Sequence, residues 1–372
     1  MPCISLQQLE LFLLDLPQKT IFQSSIGTRK SKESLIVKWT DREGRVGYGE
    51  CSCRPDPYYS DEFLAASLKL IEEFVVPHLK AEQDHEDVMK VLGRIRGWNF
   101  TKAAVEAAMF QILRQQGDFS LEKEIQANPT KKVPVGISLG IYHDIGSMRE
   151  VVQEAIDEGY ERIKFKIAPH VDTDLFEQIN PLLFDNKVYV SFDANGSYTE
   201  GNLDKLGYFA NTYPNAIEQP TPPHRFDMLV RAKALFPDMK VCFDEEVKGM
   251  GDLVKLHALG VMDELNLKPG RVGGLRSSIE MLNYCHTHAI DCWVGGMFET
   301  GIGRLHNLEI ASFLPQARAH DMSPSSRYFK EDIVAPEVQM TDGHIEVASA
   351  LQSQVLPERM ERYATHKEVI SF

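Results

Sequence analysis

The chain has 372 residues, 43% of them hydrophobic, and 40 basic against 54 acidic side chains give a formal net charge of −14. That length suits two domains or one barrel with an appendage, and the acidic balance argues against a nucleic-acid or anionic-membrane partner. No apolar run approaches the roughly 18 residues that cross a bilayer, and the start MPCISLQQLELFLLDLPQ lacks a signal peptide's basic n-region and apolar core. A cytoplasmic protein is expected. The six cysteines are too few for a disulfide scaffold, and Cys51 and Cys53 are read as reduced thiols.

In chain order, LIVKWTD and RVGYGECS around a turn near Arg42–Gly44 predict two strands of a meander. Three helical stretches follow, SDEFLAASLKLIEEFVVPHL, HEDVMKVLGRIR and TKAAVEAAMFQILRQQG. The last sets Ala104, Ala107, Ala108, Ile112 and Leu113 along one stripe and ends on Gly117, a helix-capping residue. Strands followed by helices predict an α+β domain over residues 1–130.

From Val133 the texture changes. Short apolar runs start near residues 133, 162, 187, 215, 240, 264, 290 and, more weakly, 317 in ARAHDMS. Amphipathic segments such as SMREVVQEAIDEGY and RSSIEMLNYCHTHA lie between most of them. Strand–helix alternation at this spacing predicts a (β/α) barrel over residues 131–324, with strands buried on both faces. An open doubly wound sheet is the alternative, but no Gly-rich nucleotide turn accompanies these strands. Residues 325–372 are polar and irregular, with one predicted strand at HIEVAS, and are assigned to the first domain as a returning tail.

A barrel of this kind builds its active site at the C-terminal mouth of its strands. In ERIKFKIAP, Ile163, Phe165 and Ile167 alternate with Arg162, Lys164 and Lys166, which puts the two lysines on one face about 7 Å apart. A charged strand edge is the bland reading. The other strand ends supply Ser138, Asp193 with Asn195, Glu218, Asp244 with Glu245, Lys268 and Glu299. Asp193, Glu218 and Asp244 stand on three successive strands about 4.8 Å apart. Three carboxylates with no His or Cys suit Mg2+ rather than zinc. Read singly, each could instead open the helix that follows it. Asn266 and Lys268 alternate with Leu265 and Leu267, so Lys268 points inward across the mouth from Lys166. A lysine near other cations and partly desolvated has a lowered pKa and can act as a base, so Lys164 is expected to depress Lys166. Two such bases beside a metal-held carboxylate make a site for removing the proton α to it.

The set KFK, DAN, IEQP, FDEE and NLKPGRVGG resembles the muconate-lactonizing branch of the enolase superfamily. GGMFETGIGRLHNLEIAS and GYGEC…DPYYS narrow the resemblance to the group of o-succinylbenzoate synthases and N-acylamino (N-succinylamino) acid racemases. The resemblance implies a (β/α)7β-type modified TIM barrel under an α+β capping domain completed by the C-terminal tail. It implies Lys166 and Lys268 as the acid/base pair, Asp193, Glu218 and Asp244 as ligands of Mg2+ (or Mn2+), and Lys164 beside the substrate carboxylate. Ser138, Asn195 and Met297 would line the pocket, and a lid over residues 21–30 would close it. The expected partner is a small-molecule carboxylate, with no nucleic acid and no membrane, and self-association is left open.

Departures are few. The family's Pro-Gly-Trp-Asp is Pro169-His170-Val171-Asp172, so His170 is read as a loop residue, and DANSAY is DANGSY. FETG lacks the Asp-x-Asp of dipeptide epimerases, and Lys268 stands where mandelate racemases have histidine. Dehydration of 2-succinyl-6-hydroxy-2,4-cyclohexadiene-1-carboxylate is the leading expectation. Racemisation of N-acylated amino acids is the second, helped by Arg271 three residues past Lys268, and one enzyme could do both. A metal-binding barrel without catalysis is the reading from a different class.

Overall fold

The computed structural model describes residues 3–24 and 27–372, and of the side chains between Cys3 and Phe372 all but those of residues 20–30. The lid expected over residues 21–30 therefore falls outside the residues described in full.

Strands β1 (Cys3–Ser24), β2 (Gly27–Asp41) and β3 (Val46–Cys51) form the antiparallel meander, and the C-terminal strand Ala364–Ser371 adds to the outer edge of β1. The strand predicted in the tail, His344–Glu346 in HIEVAS, pairs with Lys132–Pro134 at the entry to the barrel. Helices α1 (Leu64–Leu70), α2 (His85–Arg94) and α3 (Asn99–Gln116) follow. The alanine stripe of α3 explains the Gly-x-Gly of β3. A Cβ on Gly47 or Gly49 would lie 1.9 Å from the carbonyl oxygen of Ala108 or Ala104. Only glycine lets strand and helix backbones approach this closely. Leu9, Leu11, Val37 and Trp39 then share one core with Ala104, Ala108, Ile112 and Leu113. Gly117, at φ 80°, ends α3 and donates to Arg114 and Leu113. Cys51 and Cys53 are unbonded, with their sulfurs 3.5 Å apart.

The barrel strands are β4 (Gly136–Leu139), β5 (Arg162–Lys166), β6 (Tyr189–Asp193), β7 (Ile217–Glu218), β8 (Val241–Phe243), β9 (Glu264–Leu267) and β10 (Asp291–Val294). They pair in parallel, in chain order. The weak eighth run closes the ring with single contacts. Gly136 N–H donates to the His320 carbonyl at 2.8 Å, and Asp321 N–H to that of Val294 at 3.0 Å. Helices α4 (Ile145–Asp157), α5 (Thr173–Asp185), α6 (Gly207–Thr212), α7 (Phe226–Leu235), α8 (Met250–Ala258), α9 (Leu275–Thr287) and α10 (Gly301–Ala311) alternate with the strands.

The strands are buried on both faces, as expected, but only one of those faces is uniformly apolar. Ile163, Phe165, Phe192, Ile217, Phe243, Leu265 and Val294 belong to the large core shared with the helices. The alternate residues face the barrel axis, where Ala216, Cys242 and Trp293 form a small apolar floor and Arg162 lies 4.0 Å from the Trp293 ring. Above that floor the interior is charged.

Candidate active site

Strand register assembles the mouth. Lys166, Asp193, Glu218 and Cys242 are successive neighbours across β5 to β8, and Ser138 stands beside Lys164. Asp244 follows Cys242 by two residues and so returns to the same inward face. Lys268, at the end of β9, does the same after Glu264 and Asn266. All six predicted acid, base and ligand side chains therefore gather at the C-terminal ends of the strands, and Lys166 is the most exposed of them, at 35% of its side chain.

The six are paired by charge. Lys166 Nζ lies 2.7 Å from Asp193 Oδ2, and Lys164 Nζ lies 2.7 Å from Glu218 Oε2. Lys268 Nζ lies 2.8 Å from Asp244 Oδ2, while Arg271 contacts the other oxygen of Asp244. Asn266 Nδ2 donates to Glu218 Oε1 at 2.7 Å. Of the predicted pocket residues, Asn195 accepts from Lys166 and donates to Glu245 Oε1 at 2.8 Å. Ser138 donates to Asp321 at 3.1 Å. Met297 sits in the loop after β10, partly buried, its side chain packed on the core of the first domain.

Two partners escaped the sequence reading. Asp321 bonds Lys164 at 2.6 Å and also pairs with Arg162. Its signal was the weak eighth run, which has too few apolar residues to mark its strand end. Tyr59 comes from the first domain, accepting from Lys268 Nζ at 3.2 Å and donating to Asp244 Oδ1 at 3.4 Å. It stood in the quoted DPYYS with no periodicity to assign it a role.

Electrostatics differ from expectation. Burial pulls Lys268 down, but Tyr59, Glu218 and Glu245 outweigh it and leave the ammonium above the usual lysine range. Lys164 is likewise raised, with Asp321, Glu218 and Asp193 overcoming burial. Neighbouring cations do not depress Lys164 or Lys268, because each has a carboxylate at contact distance. Burial works to raise Asp193, yet Lys166 and Lys164 hold it below its ordinary value.

The donor set fits a hard divalent cation. It consists of three acidic side chains on adjacent strands with no nitrogen or sulfur ligand among them. The buried Oε2 of neighbouring Glu245 has no hydrogen-bond partner, and burial and Asp193 push Glu245 upward. That marks unbalanced negative charge at the spot. Each of the three carboxylates turns one oxygen to a lysine ammonium. Among the described residues the one His/Cys/Asp/Glu set with ligand atoms within 4.8 Å of one another is Glu72, His366 and Glu368, on the surface of the first domain.

Comparison with known proteins bears on this geometry. Residues 147–351 match the family model described as enolase C-terminal domain-like. The chain belongs to the enolase superfamily. An o-succinylbenzoate synthase of Listeria innocua is 32% identical over 92% of this chain and 91% of its own length. An N-succinylamino acid racemase of Amycolatopsis is 31% identical over 98% of this chain and 99% of its own. The crystal structure of an enolase-superfamily member from Listeria innocua superposes with a TM-score of 0.91 at 30% identity, covering 99% of both chains. Muconate lactonizing enzyme from Pseudomonas fluorescens, at 22% identity and a TM-score of 0.87 over 97% of this chain and 99% of its own, shares the fold. The capped barrel expected from sequence is thus the superfamily's architecture. Among the described residues no helix is long and apolar enough to cross a membrane.

Proposed function

We propose that the protein is an o-succinylbenzoate synthase that dehydrates 2-succinyl-6-hydroxy-2,4-cyclohexadiene-1-carboxylate. The observation that carries this reading is the pair of inward ammonium groups, Lys166 and Lys268, on the second and sixth barrel strands with three carboxylates between them. It is supported by full-length relatives of that name in Listeria innocua, Bacillus subtilis and Enterococcus faecalis at 30–32% identity.

In this reading Asp193, Glu218 and Asp244 would hold Mg2+ or Mn2+, whose positive charge would make the proton α to the substrate carboxylate easier to remove. Lys166, in its neutral form, takes that proton. The C–O bond to the ring hydroxyl breaks, the electron pair of the former C–H bond completes the aromatic ring, and Lys166 returns the proton to the departing oxygen as water leaves. Lys268 faces the substrate from the far side of the barrel and stabilises the developing anion. Lys164 lies beside the substrate carboxylate, while Ser138, Asn195 and Met297 shape the pocket. The protein works in the cytoplasm.

The second reading is racemisation of N-succinylated amino acids, with both lysines exchanging protons. Arg271, 4% exposed and touching the carboxylate that holds Lys268, favours it, as does the Amycolatopsis relative. The test is purified protein with Mg2+ on both substrates, following aromatic product by absorbance and α-deuterium exchange by NMR. Fast dehydration with slow exchange is expected; exchange without dehydration would replace the first reading by the second. No turnover of either would leave the metal-binding scaffold.

A further inference from the structure

A buried cation outside the reacting set ties the first domain to the pocket wall. Lys32 of β2 is 4% exposed. Its ammonium donates to the Ser52 carbonyl at 3.3 Å and to the Met297 carbonyl at 3.2 Å. The Met297 N–H donates to Glu299 Oε2 at 2.9 Å. Glu299 Oε1 in turn accepts from Asn307 Nδ2 at 3.1 Å. The backbone of Met297 is thus held on both sides, by a barrel carboxylate and by a lysine of the first domain.

An isolated ammonium would not stay buried without compensation. Glu50 of β3 is the acidic partner: burial raises its pKa, and Lys32 is the first group working against that rise. Glu50 accepts from Ser34 Oγ at 2.8 Å, Thr300 Oγ1 at 2.6 Å and the Gly303 N–H at 3.0 Å, and so seats the start of α10. Lys32 and Glu50 are one clamp with two jaws, the anion on a helix terminus and the cation on the loop before it.

We propose that Lys32 is a positioning residue for substrate selectivity: by gripping the Met297 carbonyl it fixes the wall that the Met297 side chain presents to the substrate's acyl end. This rests on the reading of Met297 as pocket wall.

The test is Lys32→Leu, with Lys32→Leu/Glu50→Gln as partner because it removes both buried charges together and leaves neither unpaired. KM for the substrate turned over by wild type should rise roughly tenfold, the worth of a hydrogen bond to a charged group, while kcat stays within about threefold. Preference for N-succinyl over N-acetyl amino acids in α-deuterium exchange should collapse, and Lys32→Arg should recover most of it. The ε-methyl NMR signal of Met297, assigned through Met297→Leu, should shift or broaden in both variants whatever the substrate is. Wild type inactive on every substrate would defeat the functional reading alone. A folded variant with unchanged KM, selectivity and Met297 signal would overturn the role given to Lys32.

Discussion

Each carboxylate of the candidate metal set is within hydrogen-bond reach of a lysine, and the charge balance sets what substitution does. Asp193→Asn removes the anion at Lys166 and one of three hard oxygen donors together. We expect this change, Glu218→Gln and Asp244→Asn each to cost about a thousandfold or more in rate. Chelation should abolish activity and Mg2+ restore it; full activity after exhaustive chelation would refute the metal assignment. The lysines separate the two reactions. Under dehydration, Lys166→Ala leaves no base on the eliminating face and should be inactive, whereas Lys268→Ala should keep a trace of rate. Under racemisation, each should lose exchange with one enantiomer of an N-succinylamino acid and keep it with the other. These residues were legible in the sequence because strand alternation and register place them mechanically: Lys164, Lys166 and Asp193 each follow from a two-residue period. Asp321 and Tyr59 were not. One closes the ring through a near-structureless segment, and the other arrives from a different domain, where no local period reports it.

Between elements, carboxylates of the first domain cap barrel helices. Glu106 of α3, fully buried, accepts from the N–H groups of Leu275 and Arg276 at 2.7 and 3.1 Å, at the start of α9. Gly274 makes room for it, since a Cβ there would lie 1.5 Å from Glu106 Oε2, at φ 119°. Glu50 does the same for α10. Backbone N–H groups at a helix start lack intrahelical partners, and a carboxyl oxygen there accepts from them. Glu106→Ala should therefore lower stability by about 1–3 kcal/mol, read as a shift in urea midpoint, whereas Glu106→Gln keeps an acceptor and should cost less. Gly49→Ala forces a Cβ against the Ala104 carbonyl and should cost about 3 kcal/mol; a Gly49→Ala protein as stable as wild type would contradict the close packing of β3 on α3. The helix stripe of α3 and the strand of GYGEC were each readable from local periodicity. Their contact, and the capping role of Glu50, were not, because a glycine pair and one acidic residue carry no period that names a distant partner.

Across the whole molecule, buried groups of opposite type set the pH response. His320, wholly enclosed in the segment that closes the barrel, accepts from the Val294 N–H at 2.9 Å and is held down to about 3 by burial, then by Arg162. The unfolded chain binds a proton near 6.5 that the folded one refuses. Its contribution is therefore complete above about pH 6.5 and lost as pH falls toward 3. Glu106 acts in reverse. Burial raises it from 4.5 to about 7, so its contribution is complete below 4.5 and lost as pH rises to about 7. His306, lowered to about 4, leans with His320, and Glu264, raised to about 7, leans with Glu106. Each group shifts stability by about 1.4 kcal/mol per pH unit within its window. Between pH 4.5 and 6.5 the slopes of these four groups oppose one another, and below 4.5 the histidines are joined by Asp193 and Asp321, each held below its ordinary value by neighbouring lysines. The melting temperature should hold nearly level over that window and fall steeply beneath it. Glu106→Gln removes one falling slope, so its stability should climb with pH between 4.5 and 6.5 by about 1.4 kcal/mol per unit relative to wild type. Melting profiles of the two proteins in chelator-containing buffer decide the matter, for superimposable curves would mean that Glu106 does not hold its proton as its burial between the domains requires.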